Sequence, residues 1–352
     1  MLLQLLPTNT PESTPSIQRG SFHGAGGTLL GMQIVNVCLT IVTLGAYHFW
    51  AKANIRRYLF SQTAFAGDRF AYHGTGKELY QGFLKAMVVF GIPYFSLGAA
   101  QSFLTLPQPV DVLLQAMAAL VLFLYVPVAI VNARRYRCTR TSWRGIRFSF
   151  RGRTVDFLKL YFKGWLFTLL TLGTYYPYFQ TQRQAFLHSH TYFGNQQFRF
   201  TGHGSGLMVP FAVTLFTTYA VLCLCGLALA LQLTNAGLTL LLIPFVLGPV
   251  WVWLLGQKQK YYWDHTTFGE ARFSSNITWQ KLFGLYLGNL ALLLLTLGWA
   301  WPWVTVRNAR FFIGTLSLQG LTDLDRVLQD TTETSVTGEG LSNLLDTGFD
   351  MD

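Results

Sequence analysis

Thr43-Leu44-Gly45-Ala46-Tyr47-His48-Phe49-Trp50 decides how this chain is read, because it comes back twice. It returns as Thr171-Leu172-Gly173-Thr174-Tyr175-Tyr176-Pro177-Tyr178 and as Thr296-Leu297-Gly298-Trp299-Ala300-Trp301-Pro302-Trp303. A polar stretch follows each copy: Lys52 to Arg57, Gln180 to Gln184, and Thr305 to Arg310. Each copy closes an apolar run, near 28–50, 157–179 and 282–304. Four further runs lie near 81–104, 112–133, 207–232 and 236–256. Runs of about 20 residues, rising 1.5 Å per residue, reach across a hydrocarbon core of roughly 30 Å. Helices satisfy their own backbone hydrogen bonds and are the default structure in lipid.

The composition agrees with seven apolar segments. Of 352 residues, 51% are hydrophobic and only 12% charged, and the mean hydropathy is +0.34. Disorder of the bulk is excluded, since it needs low hydrophobicity and high charge. The net charge of +11 is unevenly placed. Residues 1–320 hold 25 Lys and Arg against seven Asp and Glu. Residues 321–352 hold eight Asp and Glu against Arg326 alone, and that acidic tail is expected to be disordered. Residues 1–20 read as a flexible leader. The four cysteines form no disulfide or ligand pattern. Cys223 and Cys225 sit in an apolar run, where Cys packs as a small hydrophobe.

A second module also recurs. Thr63-Ala64-Phe65-Ala66-Gly67-Asp68-Arg69-Phe70-Ala71-Tyr72 and Thr191-Tyr192-Phe193-Gly194-Asn195-Gln196-Gln197-Phe198-Arg199-Phe200 are the clearest copies. Weaker ones begin at Thr141 and Thr266. A glycine-centred turn followed by alternating aromatics predicts β-hairpins. The expected fold is therefore mainly α: a polytopic helical membrane protein with internal repeats. Short β-hairpins between its helices form a small cytoplasmic β part. The predicted units are a first membrane unit at 21–156, a second at 157–281, and a final Thr-Leu-Gly segment at 282–320.

Two topologies remain open at this point. Simple alternation of seven spans divides the hairpins between the two sides and obeys the positive-inside rule only loosely. In the other, Gly45, Gly173 and Gly298 break the Thr-Leu-Gly segments, which return to the side they entered. The remaining segments then pair as hairpins whose connections, 105–111 and 233–235, carry no Lys or Arg. That arrangement puts every basic loop on one side and is preferred.

Tyr47-His48-Phe49-Trp50-Ala51-Lys52-Ala53-Asn54-Ile55-Arg56-Arg57-Tyr58, followed by Gly67-Asp68-Arg69-Phe70-Ala71-Tyr72-His73-Gly74-Thr75-Gly76-Lys77-Glu78-Leu79, carries a resemblance. The chain resembles the YjgN-like family of bacterial inner-membrane proteins, a domain family of unknown function, over roughly residues 20–320. The resemblance implies a multi-pass protein of the bacterial plasma membrane and no particular activity. The paired arginines Arg56 and Arg57 are lost in the later copies, where Arg57 aligns with Ala185 and Arg310.

Candidate sites are few. Gly74-Thr75-Gly76-Lys77 lacks the spacing of a phosphate loop and reads as a turn. His190 and His265 occupy matching positions and read as hydrogen-bonded hairpin residues, not metal ligands. Asp68 and Asp264 are expected to pair with cations such as Arg69 or Lys260. No catalytic constellation is spaced convincingly, so no enzyme, cofactor or metal is expected. The basic run Arg134 to Arg153 suits anionic lipid head groups better than nucleic acid. Lys159 and Lys163 share a helical face; they either snorkel or, with Asn36 and Asn289, line a polar cavity. Thr43, Gly45, Thr171, Gly173, Thr296 and Gly298 complete the candidate positions. The leading functional expectation is a transporter or channel for an unidentified, anionic solute. The alternative is a non-transporting scaffold that binds a partner through its hairpins and acidic tail. The expected location is the inner membrane, with basic loops and C-terminal tail in the cytoplasm.

Overall fold

The computed structural model describes residues 17–103, 107–232 and 234–320; the acidic tail and most of the leader lie outside them. Five times the chain leaves a β-barrel on a five-residue strand or the like, runs through a helical pair, and returns on a shorter one. The first pass is β1 (Gln18–Phe22), α1 (Gly26–Val42), α2 (His48–Ser61) and β2 (Thr63–Phe65). The second is β3 (Asp68–Tyr72), α3 (Gly76–Ala86), a π-helical turn at Met87–Gly91, α4 (Ile92–Phe103), α5 (Gln108–Thr139) and β4 (Thr141–Trp143). The third is β5 (Ile146–Phe150), α6 (Thr154–Leu170), α7 (Tyr176–Ser189) and β6 (Thr191–Phe193). The fourth is β7 (Gln196–Phe200), a 3-10 turn at Gly204–Leu207, α8 (Met208–Ala230), α9 (Ala236–Asp264) and β8 (Thr266–Phe268). The fifth is β9 (Ala271–Ser275), α10 (Trp279–Leu295), α11 (Trp301–Gly314) and β10 (Leu316–Gln319).

The ten strands close into one antiparallel barrel, in place of the expected small β part. Four hairpins were legible from their turns. Ala66-Gly67 and Arg144-Gly145 have positive φ at both central positions, as type I′ turns require, while Gly194 and Gly269 carry it at the first. The closure comes from two strands without such a signal. β1 pairs with β2 through Gly20 and Phe65, and with β10 through Gln18 and Leu318. Residues 18–20, expected within the leader, are thus part of the barrel. Closure removes both open edges that a row of hairpins would leave. It also gathers every β-turn into one body, so both ends of each helical pair lie at the barrel.

The helices continue the barrel as a ring. Each packs on its neighbours in sequence, and α11 packs on α1. Two kinds of helical pair alternate. Among the described residues, four helical stretches are long and apolar enough to cross a membrane: Gly76–Phe103, Gln108–Thr139, Gly204–Ala230 and Gly237–Asp264. The Thr-Leu-Gly pairs are shorter. Their first helices, α1, α6 and α10, have 17 residues each, so they reach about 25 Å.

The Thr-Leu-Gly turns share one geometry. Gly45 N donates to Thr40 O at 2.7 Å and Leu44 N to Ile41 O at 3.1 Å, the two bonds of a Schellman cap. Leu44, Leu172 and Leu297 take left-handed φ of 50°, 50° and 49°, and the glycines follow at 93°, 92° and 89°. The threonine hydroxyl bridges the two helices: Thr43 Oγ1 donates to Leu39 O at 2.8 Å and accepts from Tyr47 N at 2.9 Å. Thr171 and Thr296 do the same. Leu44 is 97% exposed at its tip. A leucine held in a left-handed backbone and fully exposed has nothing to gain in water; an apolar surrounding accounts for it.

Candidate functional site

The barrel encloses a cavity of about 440 Å³ lined from nine of its ten strands. Around eight strands already leave a barrel interior that side chains just fill, so ten leave space. The middle residues of four long strands, Phe70, Phe148, Phe198 and Phe273, point inward. Their rings follow one another at 6.4, 6.4 and 6.2 Å with near-parallel planes. Trp143, Phe193 and Phe268 from the short strands fill between them, and Leu316 and Leu318 complete the wall. The period of two puts the intervening arginines, Arg19, Arg69, Arg147 and Arg272, on the exposed outer face.

The end of the cavity nearest the helices is polar. Arg134, Arg137 and Cys138 of α5, His188 of α7, Thr141 and Thr191 line it. Arg134 donates to Thr191 Oγ1 at 3.4 Å, while its Nε is buried with no hydrogen-bond partner. Arg137 lies in electrostatic range of Arg134 and Arg56, and Lys52 in range of Arg56 and Arg137. Burial, with those two guanidinium groups beside it, lowers the Lys52 pKa. His188 is only 8% exposed. Burial first, and then Arg134, push its pKa down to about 4. Its Nε2 lies 2.6 Å from Gln184 Nε2 and its Nδ1 3.4 Å from Thr266 Oγ1. The amide donates, so the ring is neutral with its proton on Nδ1. Among the described residues, no Asp or Glu lines the cavity. Asp68 pairs with Arg144, Glu78 with Arg140, and Asp264 accepts from Ser275 N.

The candidate positions from sequence scatter. Thr43, Gly45, Thr171, Gly173, Thr296 and Gly298 form the three hairpin tips, away from the lumen. Arg56 joins the cationic group below it. Arg57 donates to Gly74 O of the next pass at 3.4 Å. Arg135 makes the equivalent bond to Gly152 O at 3.0 Å, and Arg310 to Gly24 O at 3.3 Å, across the closure. These three hold adjacent passes together. Asn36 lines a separate cavity of about 610 Å³ between α1 and α2. Asn289 instead donates to Asn308 Oδ1 at 2.7 Å. Lys159 and Lys163 are exposed on α6, with Lys163 Nζ 5.9 Å from the Phe167 ring centre. The structure does not bring these four together.

The lumen residues themselves escaped the sequence reading. Arg134 and Arg137 were hidden in a run whose members go separate ways: Arg135 to Gly152, Arg140 to Glu78, Arg144 to Asp68, and Arg151 over the Tyr192 ring at 4.3 Å. His188 lies beside His190, whose Nδ1 is 2.8 Å from Phe186 O at the helix end; His265 stands likewise on Tyr261 O. Thr75 proves to be the N-cap of α3, in a capping box with Glu78. Trp50, Tyr178 and Trp303, the last residues of the three octapeptides, each press on a glycine of the following pass. A Cβ on Gly76 would stand 2.5 Å from Trp50, on Gly204 2.3 Å from Tyr178, and on Gly26 2.5 Å from Trp303.

Comparison with known proteins agrees with this membrane architecture. Residues 17–344 match the family described as "Bacterial protein of unknown function (DUF898)". The "Inner membrane protein YjgN" of Escherichia coli O157:H7 is 34% identical over 129 residues, 37% of this chain and 30% of its own length. The protein of the same name from Salmonella typhimurium LT2 is 32% identical over 130 residues, again 37% and 30%. The alignment thus spans under a third of these relatives. No solved structure matches. With four apolar helices of spanning length among the described residues and a family match over nearly all of its residues, the chain is an integral membrane protein that belongs to the DUF898 family.

Proposed function

We propose that this inner-membrane protein is a transporter or channel for an anionic solute, which it binds and moves without chemical change. The observation that carries this reading is the cationic end of the barrel lumen, formed where α5 and α7 meet the strands. A buried guanidinium with an unpaired donor, beside further cations, is a strong anion site. The five strand–helix–helix–strand passes are read as copies of one ancestral unit, in short and long versions. The long pairs cross the bilayer, while the Thr-Leu-Gly pairs enter and return. The tips at 43–47, 171–175 and 296–300 carry no Lys or Arg, nor do 105–111 and 233–235. The positive-inside rule then puts the barrel in the cytoplasm. Its outer arginines face the anionic head groups of that leaflet.

The test is flux. The purified protein in liposomes is loaded with a panel of radiolabelled inorganic and organic anions. Uptake above that of protein-free vesicles, reduced by Arg134→Gln, is expected. No uptake across the panel refutes the transport reading. Sidedness has a separate check in a cysteine-free background. Glu270→Cys, on the exposed β8–β9 turn, is expected to resist membrane-impermeant maleimide in intact cells. Labelling there refutes the cytoplasmic placement.

A further inference from the structure

We propose that the lumen takes an amphiphilic anion: an organic phosphate or carboxylate whose charged end meets Arg134 and whose apolar body lies between the aromatic rings. The inference rests on the anion reading above and names the class of solute. Its first support is the asymmetry of the cavity. About 440 Å³ of space lies within the range of roughly 300–1,000 Å³ usual for small-ligand pockets. Phe70, Phe148, Phe198 and Phe273 wall it with carbon, and their rings offer a small hydrated anion no hydrogen bonds. A wholly polar solute would leave this part of the site in contact with trapped water. A wholly apolar one would leave the Arg134 end desolvated against hydrocarbon. A molecule with one anionic end satisfies both.

The second support is the geometry of Arg134. Its Nε is buried and unpaired, and its terminal nitrogen holds only a long bond of 3.4 Å to Thr191. Those two nitrogens form one edge of the guanidinium fork, which binds a carboxylate or phosphate through two parallel bonds. Buried His188 stands beside it on the cavity wall. The chemistry of this ligand has two sources: a free amphiphile from solution or an anionic lipid of the bilayer.

Native mass spectrometry of the full chain in nanodiscs separates these possibilities. The probes are decyl phosphate, inorganic phosphate and decanol, in discs of phosphatidylcholine alone and in discs containing phosphatidylglycerol. One decyl phosphate per chain is expected in the zwitterionic discs. Inorganic phosphate and decanol are each expected to bind at least tenfold more weakly. Arg134→Gln is expected to weaken decyl phosphate at least tenfold, Arg134→Lys less, and Arg69→Gln on the outer face not at all. Loss of decyl phosphate binding when phosphatidylglycerol is present identifies the lipid as the source; undiminished binding identifies the free amphiphile. Inorganic phosphate or decanol binding as tightly as decyl phosphate overturns the proposal. So does an unchanged affinity in Arg134→Gln. Binding without flux overturns the transport reading and leaves this site standing. Flux of small anions with no preference for the decyl chain does the reverse.

Discussion

Replacing His188 by Gln removes a titration that the fold makes unfavourable. The imidazole lies among Arg134 of α5, Gln184 of its own helix, Phe200 of β7, and Trp263 and Thr266 of the fourth pass. It has a pKa of about 4 in the folded protein against 6.5 for the free side chain. Below pH 6.5 the unfolded chain takes up a proton that the folded chain refuses. Stability therefore rises with pH between about 4 and 6.5, and the contribution is complete above that window. At 1.36 kcal/mol per pKa unit, the full loss on acidification is about 3.4 kcal/mol, of which about 2 kcal/mol is reached by pH 5. Gln keeps donors and acceptors near Gln184 and Thr266 but does not titrate. Denaturant unfolding in nanodiscs at pH 7.5 and pH 5.0 gives the difference. Carboxylates such as Glu78 and Asp68 are common to both proteins and cancel. The wild type is expected to lose about 2 kcal/mol more than His188→Gln between the two conditions. Equal losses would refute the assignment of a buried, neutral His188 at the lumen.

The other expectations concern the helical pairs and the barrel surface, each read as a shift in unfolding free energy in the same discs. Thr171→Val loses both bonds that bridge α6 and α7, at about 1 kcal/mol each, and an unchanged stability would show that the bridge is idle. Gly173→Ala meets no atom within 4 Å, so its cost of about 1 kcal/mol comes from the backbone at φ +92° alone. Gly76→Ala places a methyl 2.6 Å from the Trp50 Cα, which no rotamer change relieves, and is expected to cost about 1–3 kcal/mol. Asp68→Asn breaks a solvent-exposed ion pair with Arg144 and is expected to cost less than about 1 kcal/mol.

What the sequence disclosed and what it withheld follow from the range of the interactions concerned. The I′ and II′ turns are local: two residues such as Arg144-Gly145 set them, so four hairpins were visible. The Thr-Leu-Gly break is local as well, since the Schellman bonds and the threonine bridge lie within the nine residues Leu39 to Tyr47. Barrel closure is not local. β1 and β10 each lack a hairpin turn of their own. Their pairing, Gln18 with Leu318, joins residues 300 positions apart in the sequence. Once closure is known, the roles of the arginines separate by register. A residue's distance before the short strand decides whether it enters the lumen, as Arg134 does seven positions before Thr141, or turns out to the next pass, as Arg135 does. Arg56 and Arg57 hold those same two positions before Thr63, and Arg57 makes the same bond to a glycine carbonyl. The paired arginines of the sequence are thus one cation beside the lumen's cationic group, in range of Arg137, and one for the seam. Where the third pass has Gln184 and Ala185, it keeps neither charge. Its contribution to the centre is the neutral His188. A cationic end built from only some of the passes gives the lumen a charged side and a neutral side, as a ligand with a single anionic group requires.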